Sequence, residues 1–290
     1  MVKGFGFISV VLTYILLTGC QKTDLSQTAQ LKFGKILVFG HAGAGMGIVN
    51  TPNPPNSEES ILSAIDFHGA DGVEVDIQIL KDSVVIVYHD NDLRTQTNCQ
   101  GCLQEKTSAD LADCQYRRAF MASDKGSILV QLDKIIHHFS TYNPKPKMSL
   151  NVQLHYDCLP YELWLAYDQA FVHQLSGLIA ASAAHEWVWI ESENVEFLQK
   201  IRSQNPDLRT FLIQSISETT VQAAKSTGCI GMVCPLAETS SADIKLARDQ
   251  NLLISLYNAN IRKDIKKAIH LMPDCIQTDN IILTKQLLRE

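Results

Sequence analysis

The sequence feature that most limits the fold is a regular alternation of short apolar runs with amphipathic stretches of helical length. The runs are rich in Val and Ile and have the length of strands that are buried on both faces. Strands that alternate with helices in this way indicate a parallel β/α architecture. We predict eight core strands, each followed by a helix, with residues 84–88 as an additional strand.

The eight predicted units account for almost the whole chain after residue 35. The predicted core strands are residues 36–39, 72–79, 148–154, 187–190, 210–213, 230–234, 252–257 and 275–278. The predicted helices are residues 57–67, 128–139, 161–184, 195–203, 219–226, 242–249, 261–271 and 282–289, with Ser57 as a possible N-cap. Eight such units in about 250 residues predict an α/β fold of the TIM (β/α)8-barrel type. The competing fold is an open doubly wound sheet, which the absence of a Gly-x-Gly-x-x-Gly fingerprint after a strand disfavours.

One long polar stretch interrupts the alternation. Residues 90–126, after the second strand region, contain three cysteines. Long connections of this kind in a compact domain are commonly functional. We therefore predict a small insertion over the mouth of the barrel.

The first twenty residues have the composition of an export signal. Lys3 precedes an apolar stretch over residues 5–17, and the stretch ends at Gly19-Cys20. An apolar run this short followed by small residues is typical of a signal peptide rather than of a transmembrane helix. We interpret residues 1–20 as a lipoprotein signal that ends at a lipidated Cys20, although an ordinary secretory signal with a chance cysteine is the alternative.

This interpretation sets the domain boundaries and the location. Residues 21–34 are polar and patternless and are expected to be a tether, and residues 35–290 are expected to form the barrel. The protein would then lie in the cell envelope, held to the membrane through its lipid anchor and facing the periplasm or the cell exterior.

The charge balance limits the classes of partner. The net charge is −6 and charged residues make up 19% of the chain, with no clustered basic segment. A nucleic-acid partner is therefore excluded. An anionic substrate would need a local positive centre, for which a bound metal ion is the obvious candidate.

Seven cysteines remain after Cys20, so an exported chain with disulfides would keep at least one free thiol. We predict one disulfide within the group Cys99, Cys102 and Cys114 and discount a zinc site, because no second Cys or His pair has the spacing for it. The other cysteines in apolar surroundings are expected in the core: Cys229, Cys234 and Cys275.

Polar residues that can carry chemistry stand on or directly after the predicted strands. His41 follows the first strand, Glu74 and Asp76 share one face of the second, and His89 follows the additional strand. Residues 151–155 bring an Asn, a Gln and a His to the third core strand. A barrel builds its active site at the carboxyl ends of its strands, so these side chains should converge.

The convergence of two carboxylates with two histidines favours a hard cation beside acid/base groups. Glu74 and Asp76 alternate with Val73, Val75 and Ile77, so their side chains would face the barrel interior, where unpaired charge is costly. A metal ion removes that cost, and Mg²⁺ and Ca²⁺ prefer carboxylate and amide oxygens. Histidine suits proton transfer near neutral pH.

The motifs, in order and spacing, resemble the signature of the glycerophosphodiester phosphodiesterase family. They are Gly40-His41-x-Gly43, Asn56-Ser57-x-x-Ser60, Gly69-Ala70-Asp71-Gly72-Val73-Glu74-Val75-Asp76, Lys81-Asp82, His89-Asp90 and, at the far end, Ile276-Gln277-Thr278-Asp279. The resemblance covers about residues 36–290 and is most specific in the N-terminal third.

The resemblance implies a TIM barrel that hydrolyses glycerophosphodiesters to glycerol 3-phosphate and an alcohol, with the small phosphodiester as its partner. It implies that His41 and His89 are the acid/base pair and that Glu74 and Asp76 bind a divalent cation, Mg²⁺ or Ca²⁺. In the mechanism that the resemblance implies, the metal ion polarises the phosphoryl oxygens and orients a hydroxyl group of the substrate.

The chain departs from the family pattern at the phosphate and metal positions. Ala42 stands where the family has an Arg, and Gln153 and His155 stand where it has a Glu-x-Lys on the third strand. We expect Gln153 as a third, neutral metal ligand, and His155 and the backbone of Gly43 as substrate-binding groups.

These departures keep a second function open, a degenerate barrel that binds phosphodiesters or glycans at the cell surface without turnover. The retained His pair and Glu-x-Asp favour the enzyme. A cyclising phospholipase of related barrel type is a third and weaker option.

Overall fold

The computed structural model describes residue 1 and residues 31–46, 53–117 and 127–290. The predicted signal peptide, Cys20 and most of the predicted tether lie outside the described residues. Among the helices of the described part, none is long and apolar enough to span a bilayer.

The described strands form one sheet that closes into a barrel. The strands are β1 (Leu37–Gly40), β2 (Gly72–Ile79), β3 (Val85–Val87), β4 (Val130–Gln131), β5 (Lys147–Val152), β6 (Val188–Ser192), β7 (Arg209–Ile213), β8 (Gly231–Pro235), β9 (Leu253–Tyr257) and β10 (Cys275–Thr278). Eight of them pair in parallel, and β1 closes the ring by pairing with both β2 and β10. The predicted TIM barrel is thus confirmed.

Helices pack around the outside of the barrel. The described helices are α1 (Glu58–Asp66), α2 (Leu132–Ser140), α3 (Trp164–Ala181), α4 (Val195–Gln204), α5 (Glu218–Thr227), α6 (Ser241–Asp249), α7 (Arg262–Leu271) and α8 (Ile281–Leu287). The predicted N-cap is confirmed, because the Ser57 hydroxyl accepts the N–H of Ser60 at 3.2 Å.

The alternation of side chains along each strand separates two parts of the core. On β2, Val73, Val75 and Ile77 pack outward against the helices. A smaller aromatic cluster that includes Phe39, Trp189 and Phe211 fills the barrel interior near the amino ends of the strands. Because side chains alternate, Glu74 and Asp76 face the interior, as predicted, and Gln78 lies on the same face of β2.

The prediction of helix from residue 128 was wrong at its start. Val130 and Gln131 form β4, which pairs antiparallel with β3, and Ile128 bridges to Gln115. The helix α2 begins only at Leu132. Pairing with residues more than forty positions away in sequence overrode the local helical pattern here.

The polar segment after β3 folds into a small unit with its own core, which includes Tyr88, Leu93, Leu103 and Leu111. The predicted disulfide is present as Cys99–Cys114, and a second, unpredicted one joins Cys102 to Cys158. The second bond ties this unit to the loop after β5, at the carboxyl end of the barrel. Cys229, Cys234 and Cys275 are buried free thiols, as expected.

Candidate active site

A cavity of about 600 Å³ opens at the carboxyl ends of the barrel strands. It brings together five of the residues predicted for the site: His41, Glu74, His89, Gln153 and His155. Asp76 lies directly beside it, because its carboxylate accepts a hydrogen bond from Gln153. Residues from distant parts of the sequence therefore meet where a barrel enzyme places its chemistry.

His41 directly follows β1 and is held between two carboxylates. Its Nδ1 lies 2.8 Å from Oδ1 of Asp279, and its Nε2 lies 3.9 Å from Oε2 of Glu74. Burial alone would lower the pKa of His41, but the hydrogen bond to Asp279 and the charges of Glu74, Asp279 and Asp76 raise it to about 9. The ring is therefore a cation at neutral pH, with Nε2 directed toward Glu74.

Glu74 is buried in the barrel interior, with 1% of its surface exposed. Its Oε2 accepts the backbone N–H of Ala42 at 3.0 Å. Burial first, and the charge of Asp76 second, raise the pKa of Glu74 well above its usual value, whereas His41 acts in the opposite direction. Ionised Glu74 therefore depends on nearby positive charge.

Asp76 is surrounded by side-chain amides. Oδ2 of Asp76 accepts a hydrogen bond from Nδ2 of Asn56 at 2.8 Å, and the backbone N–H of Asp76 donates to Oδ1 of Asn56. Oδ1 of Asp76 accepts from Nδ2 of Asn151 at 3.2 Å and from Nε2 of Gln153 at 2.8 Å. Neutral donors thus fix the orientation of this carboxylate without neutralising its charge.

His89 follows β3 and is oriented by its neighbour. Its Nδ1 lies 2.6 Å from Oδ1 of Asp90, and Nε2 of His155 lies 2.9 Å from its backbone oxygen. The Asp90 carboxylate remains ionised: burial alone would raise its pKa, but hydrogen bonds from Thr95, His89 and Gln96 lower it. His155 therefore contacts the backbone that carries His89, and it also lines the cavity.

The glycine-rich loop after β1 orients carboxylates. The N–H of Gly43 donates to the backbone oxygen of Glu74, and the N–H of Met46 donates to Oδ1 of Asp279. Gly43 has φ +89°, and a Cβ there would lie 2.8 Å from the backbone nitrogen of Ile61. Glycine is needed for this close packing, while the predicted contact of Gly43 with substrate stays a prediction.

The sequence prediction missed three residues that shape the site, Asn56, Glu191 and Asp279, and it assigned no role to Asn151. Asn56 and Asp279 stood inside the motifs that we quoted, and their position beside other motif residues was the available signal. Glu191 directly follows the apolar run 187–190, and a carboxylate at the end of a predicted core strand was the available signal.

Glu191 is a third interior carboxylate. It is 2% exposed, and its Oε2 accepts from Ser149 at 2.6 Å and from Nε2 of Gln277 at 2.9 Å. Burial raises its pKa to about 7, against the lowering effect of the hydrogen bonds from Ser149 and Gln277. It lies in register with Asn151 on the neighbouring strand, so the interior carries more acidic groups than the motifs indicated.

The donor set fits one divalent cation, with few charged ligands. Glu74, Asp76 and Glu191 are acidic side chains in the barrel interior. Among the described residues, the positive charge that His41 carries lies close to them. Oε1 of Gln153 makes no hydrogen bond within the described part of the chain and could face a cation. Yet no cluster of three or more carboxylate, imidazole or thiol groups in that part is arranged around a metal position. A cation here would depend on two carboxylates and neutral oxygens.

Similarity to known proteins agrees with this geometry. The family model of the glycerophosphoryl diester phosphodiesterase family matches residues 41–283. A glycerophosphodiester phosphodiesterase of Arabidopsis thaliana is 31% identical over 110 residues, which are 36% of this chain and 29% of that protein. Another from Caldanaerobacter subterraneus subsp. tengcongensis is 31% identical over 77 residues, 27% of this chain and 29% of that protein. The matches thus span under a third of these two relatives.

Solved structures share the fold at low sequence identity. A phosphodiesterase of Oleispira antarctica in complex with its product sn-glycerol-3-phosphate superposes with a TM-score of 0.75 and 14% identity, covering 91% of this chain and 99% of that one. A glycerophosphodiester phosphodiesterase of Agrobacterium tumefaciens gives a TM-score of 0.71 and 18% identity, covering 87% and 99%. Together with the family model, which matches most of the sequence, these observations show that the chain belongs to the glycerophosphoryl diester phosphodiesterase family.

Proposed function

We propose that the chain is a metal-assisted phosphodiesterase that hydrolyses glycerophosphodiesters to glycerol 3-phosphate and an alcohol. The observation that carries the proposal is the shared cavity of His41, Glu74 and His89 at the carboxyl end of the barrel. Each histidine has its Nδ1 bonded to a carboxylate, so each Nε2 is left for proton transfer. The sn-glycerol-3-phosphate product bound to the Oleispira antarctica relative supports this substrate class.

His41 is assigned the role of general acid and electrophile. A raised pKa of about 9 keeps the imidazolium form at neutral pH. The protonated Nε2 can donate to a phosphoryl oxygen or to the oxygen of the departing alcohol, and the carboxylate of Asp279 stabilises the cation through Nδ1. Loss of the departing alkoxide as an alcohol consumes this proton.

His89 is assigned the role of general base. Asp90 fixes its ring through Nδ1, so Nε2 can accept the proton of the attacking glycerol hydroxyl, whose oxygen bonds to phosphorus as the bond to the alcohol oxygen breaks. Water then opens the resulting cyclic phosphate to glycerol 3-phosphate, with the acid and base roles of the two histidines reversed. Base and acid are thus separate groups, with one proton removed at the nucleophile and one delivered at the leaving group. His155, through its contact with the backbone oxygen of His89, is a positioning residue.

A divalent cation, Mg²⁺ or Ca²⁺, would add positive charge that polarises the phosphoryl oxygens. Glu74 and Asp76 would hold it, with the amide oxygen of Gln153 as a neutral ligand. Ala42 leaves the site without the Arg that the family pattern places beside the first histidine, so more of the phosphate charge must be balanced by His41 and the cation.

The experiment is a product assay with a panel of glycerophosphodiesters that differ in the alcohol, each with Mg²⁺, with Ca²⁺ and with EDTA. We expect glycerol 3-phosphate and the alcohol in equal amounts, and a lower rate in EDTA. Absence of both products from every substrate would contradict the proposal.

A second candidate is a barrel that binds phosphodiesters or glycans without turnover, and Ala42 and Gln153 favour it. The discriminating result is calorimetric binding of an intact glycerophosphodiester that the protein leaves uncleaved after prolonged incubation with metal.

We further propose that the protein is a lipoprotein anchored through Cys20 in the cell envelope and facing the periplasm or the cell exterior. The apolar stretch over residues 5–17 that ends in Gly19-Cys20 supports this assignment. The two disulfides of the described chain agree with an oxidising compartment.

A further inference from the structure

A second cavity lies at the opposite end of the barrel from the active site. It has a volume of about 880 Å³ and is lined by residues at the amino ends of β6, β7, β8 and β9 and by Lys32 and Phe33, which precede β1. None of the proposed catalytic or metal-binding residues lines it. Any ligand of this cavity would therefore be distinct from the bound substrate.

Positive charge dominates the lining. Four cationic side chains face the cavity, against one carboxylate: Lys32, Arg209, Lys225 and Arg248 against Asp274. The Asp274 carboxylate is already engaged, since Oδ2 accepts the N–H of Ile254 at 2.9 Å and Oδ1 accepts the N–H of Lys32 at 3.3 Å. It is therefore a structural group more than a counter-ion for the four cations.

The cations are held in place by neutral groups. Nη1 of Arg209 donates to the backbone oxygen of Glu186 at 2.8 Å, Nζ of Lys225 donates to that of Gln250 at 3.0 Å, and Arg248 donates to that of Met272. Within the described ranges, none of the four cavity cations forms an ion pair with a carboxylate. Each guanidinium and ammonium group retains donors that a carbonyl contact does not use.

Such a cluster is unusual in a chain with a net charge of −6. Like charges gathered around one cavity repel each other, and the repulsion is screened less where side chains are partly buried. An anion bound among them would remove the repulsion. The planar guanidinium group of arginine can donate two hydrogen bonds to two oxygens of one phosphate group. Lysine ammonium groups add positive charge from other directions.

Aromatic side chains form part of the same lining. Trp189 is 2% exposed and lines the cavity, and its ring stacks on Phe33 with 5.9 Å between centroids. The cationic groups therefore lie next to a packed aromatic surface at this end of the barrel.

We propose that this cavity is a second site, which binds the phosphate group of an anionic ligand through Arg209, Arg248, Lys225 and Lys32. The ligand is either a free phosphate ester or the phosphate of a lipid headgroup. The headgroup is considered because residues 31–34 lie at this end of the barrel, with Leu31 buried in the core, and the proposed lipid anchor at Cys20 precedes them in the sequence.

The test is lysine acetylation of the whole chain, read by mass spectrometry residue by residue. The chain is labelled in three settings: with vesicles of neutral phosphatidylcholine, with the same vesicles plus inorganic phosphate, and with vesicles that also contain phosphatidylglycerol. Lys245, which lies on the same helix as Arg248 and pairs with Asp249, is the internal control.

We expect Lys32 and Lys225 to be acetylated more slowly in at least one of the two anionic settings, while Lys245 keeps its rate. At about ten times the dissociation constant, only about one tenth of the sites remain free, so labelling should slow about tenfold. Protection by inorganic phosphate identifies a free phosphate ester as the ligand class, and protection by phosphatidylglycerol alone identifies a headgroup.

Equal rates for Lys32 and Lys225 in all three settings, or an equal slowing of Lys245, would overturn the proposal. A second arm uses Arg209→Gln and Arg248→Gln, which should abolish the protection and leave phosphodiesterase turnover unchanged. Protection that survives in both folded variants also overturns it. The labelling of the unmodified chain decides the question even if a variant does not fold.

Discussion

Glu191 lies on the inner face of β6, where it is 2% exposed and its carboxylate accepts hydrogen bonds from Ser149 and Gln277. Burial is the largest cause of its raised pKa of about 7, compared with an ordinary value of 4.5. The folded protein therefore keeps a proton between these two values that the unfolded chain has lost. In that window the stability falls as the pH rises.

We predict that Glu191→Gln removes this loss. Relative to the unmodified protein, the variant should gain about 3 kcal/mol of unfolding free energy between pH 4.5 and 7.5, because each pKa unit corresponds to ~1.4 kcal/mol. The measurement is urea unfolding of both proteins across that pH range. A difference that does not change with pH would show that Glu191 is not a buried acid with a raised pKa.

The amide of Gln153 donates to Asp76 at 2.8 Å, so the charge of the residue at this position bears on the proposed cation site. A Glu at this position would add a third negative charge to Glu74 and Asp76. We predict that Gln153→Glu raises affinity for Mg²⁺ and Ca²⁺ by roughly one to two orders of magnitude, because hard-cation affinity rises with ligand charge.

The measurement is calorimetric titration of Gln153→Glu with Mg²⁺ and with Ca²⁺. The control is Gln222→Glu, which adds the same charge at an exposed position on α5. If Gln153→Glu binds either cation no more tightly than the control, Gln153 does not face a metal position. Activity at saturating metal need not rise, since a better-neutralised cation polarises substrate less.

Single residues also show what the sequence could and could not predict about the site. His41, Glu74, Asp76 and His89 were predicted to converge, because each ends or alternates within an apolar strand. The contact between Gln277 and Glu191 spans 86 positions in the sequence and exists only because the barrel closes. No local pattern contains that information.

At the scale of elements, the strands were predicted well because their alternation is dictated by burial on two faces. β2 and β10 were predicted with the bounds observed. The start of α2 was not, because Val130 and Gln131 pair with β3, and that pairing depends on the fold of the insertion. A local sequence pattern does not predict the boundary of an element when pairing with a distant strand sets that boundary.

The insertion carries two disulfides that close loops of different length. Cys99–Cys114 closes a loop of 15 residues within the insertion, whereas Cys102–Cys158 closes one of 56 and joins the insertion to the loop after β5. The entropy removed from the unfolded chain grows with loop length.

We therefore predict that Cys102→Ser/Cys158→Ser lowers the unfolding free energy by about 1 kcal/mol more than Cys99→Ser/Cys114→Ser does. Urea unfolding of the two double variants compares them directly. An equal loss, or a larger loss from the shorter loop, would mean that native contacts of the insertion, and not chain entropy, set the contribution of each bond.

At the scale of the whole molecule, the two ends of the barrel have different chemistry. The carboxyl end carries the acidic cavity with the two proposed catalytic histidines, and the amino end carries the cationic cavity next to residues 31–34. The described chain enters the barrel through residues 31–34 at the cationic end, and the active-site cavity opens at the opposite end.

The anchor itself is tested by Cys20→Ser. We predict that the unmodified protein partitions with membranes and carries a lipid mass on Cys20, because a lipidated cysteine buries acyl chains in the bilayer. The variant should be released into the soluble fraction or retain its uncleaved signal. An unmodified protein that is processed yet soluble would contradict the lipoprotein assignment.

The central claim is that the His pair at the carboxyl end of the barrel hydrolyses a glycerophosphodiester. The most direct measurement is the turnover number for glycerol 3-phosphate release by the unmodified protein, His41→Ala and His89→Ala, with the exposed His185→Ala as control. The account predicts a fall of roughly 10²–10⁴-fold in each of the first two variants, unchanged turnover in the control, and thermal unfolding that shows all of them folded. Turnover like that of the unmodified protein in both His41→Ala and His89→Ala would contradict it.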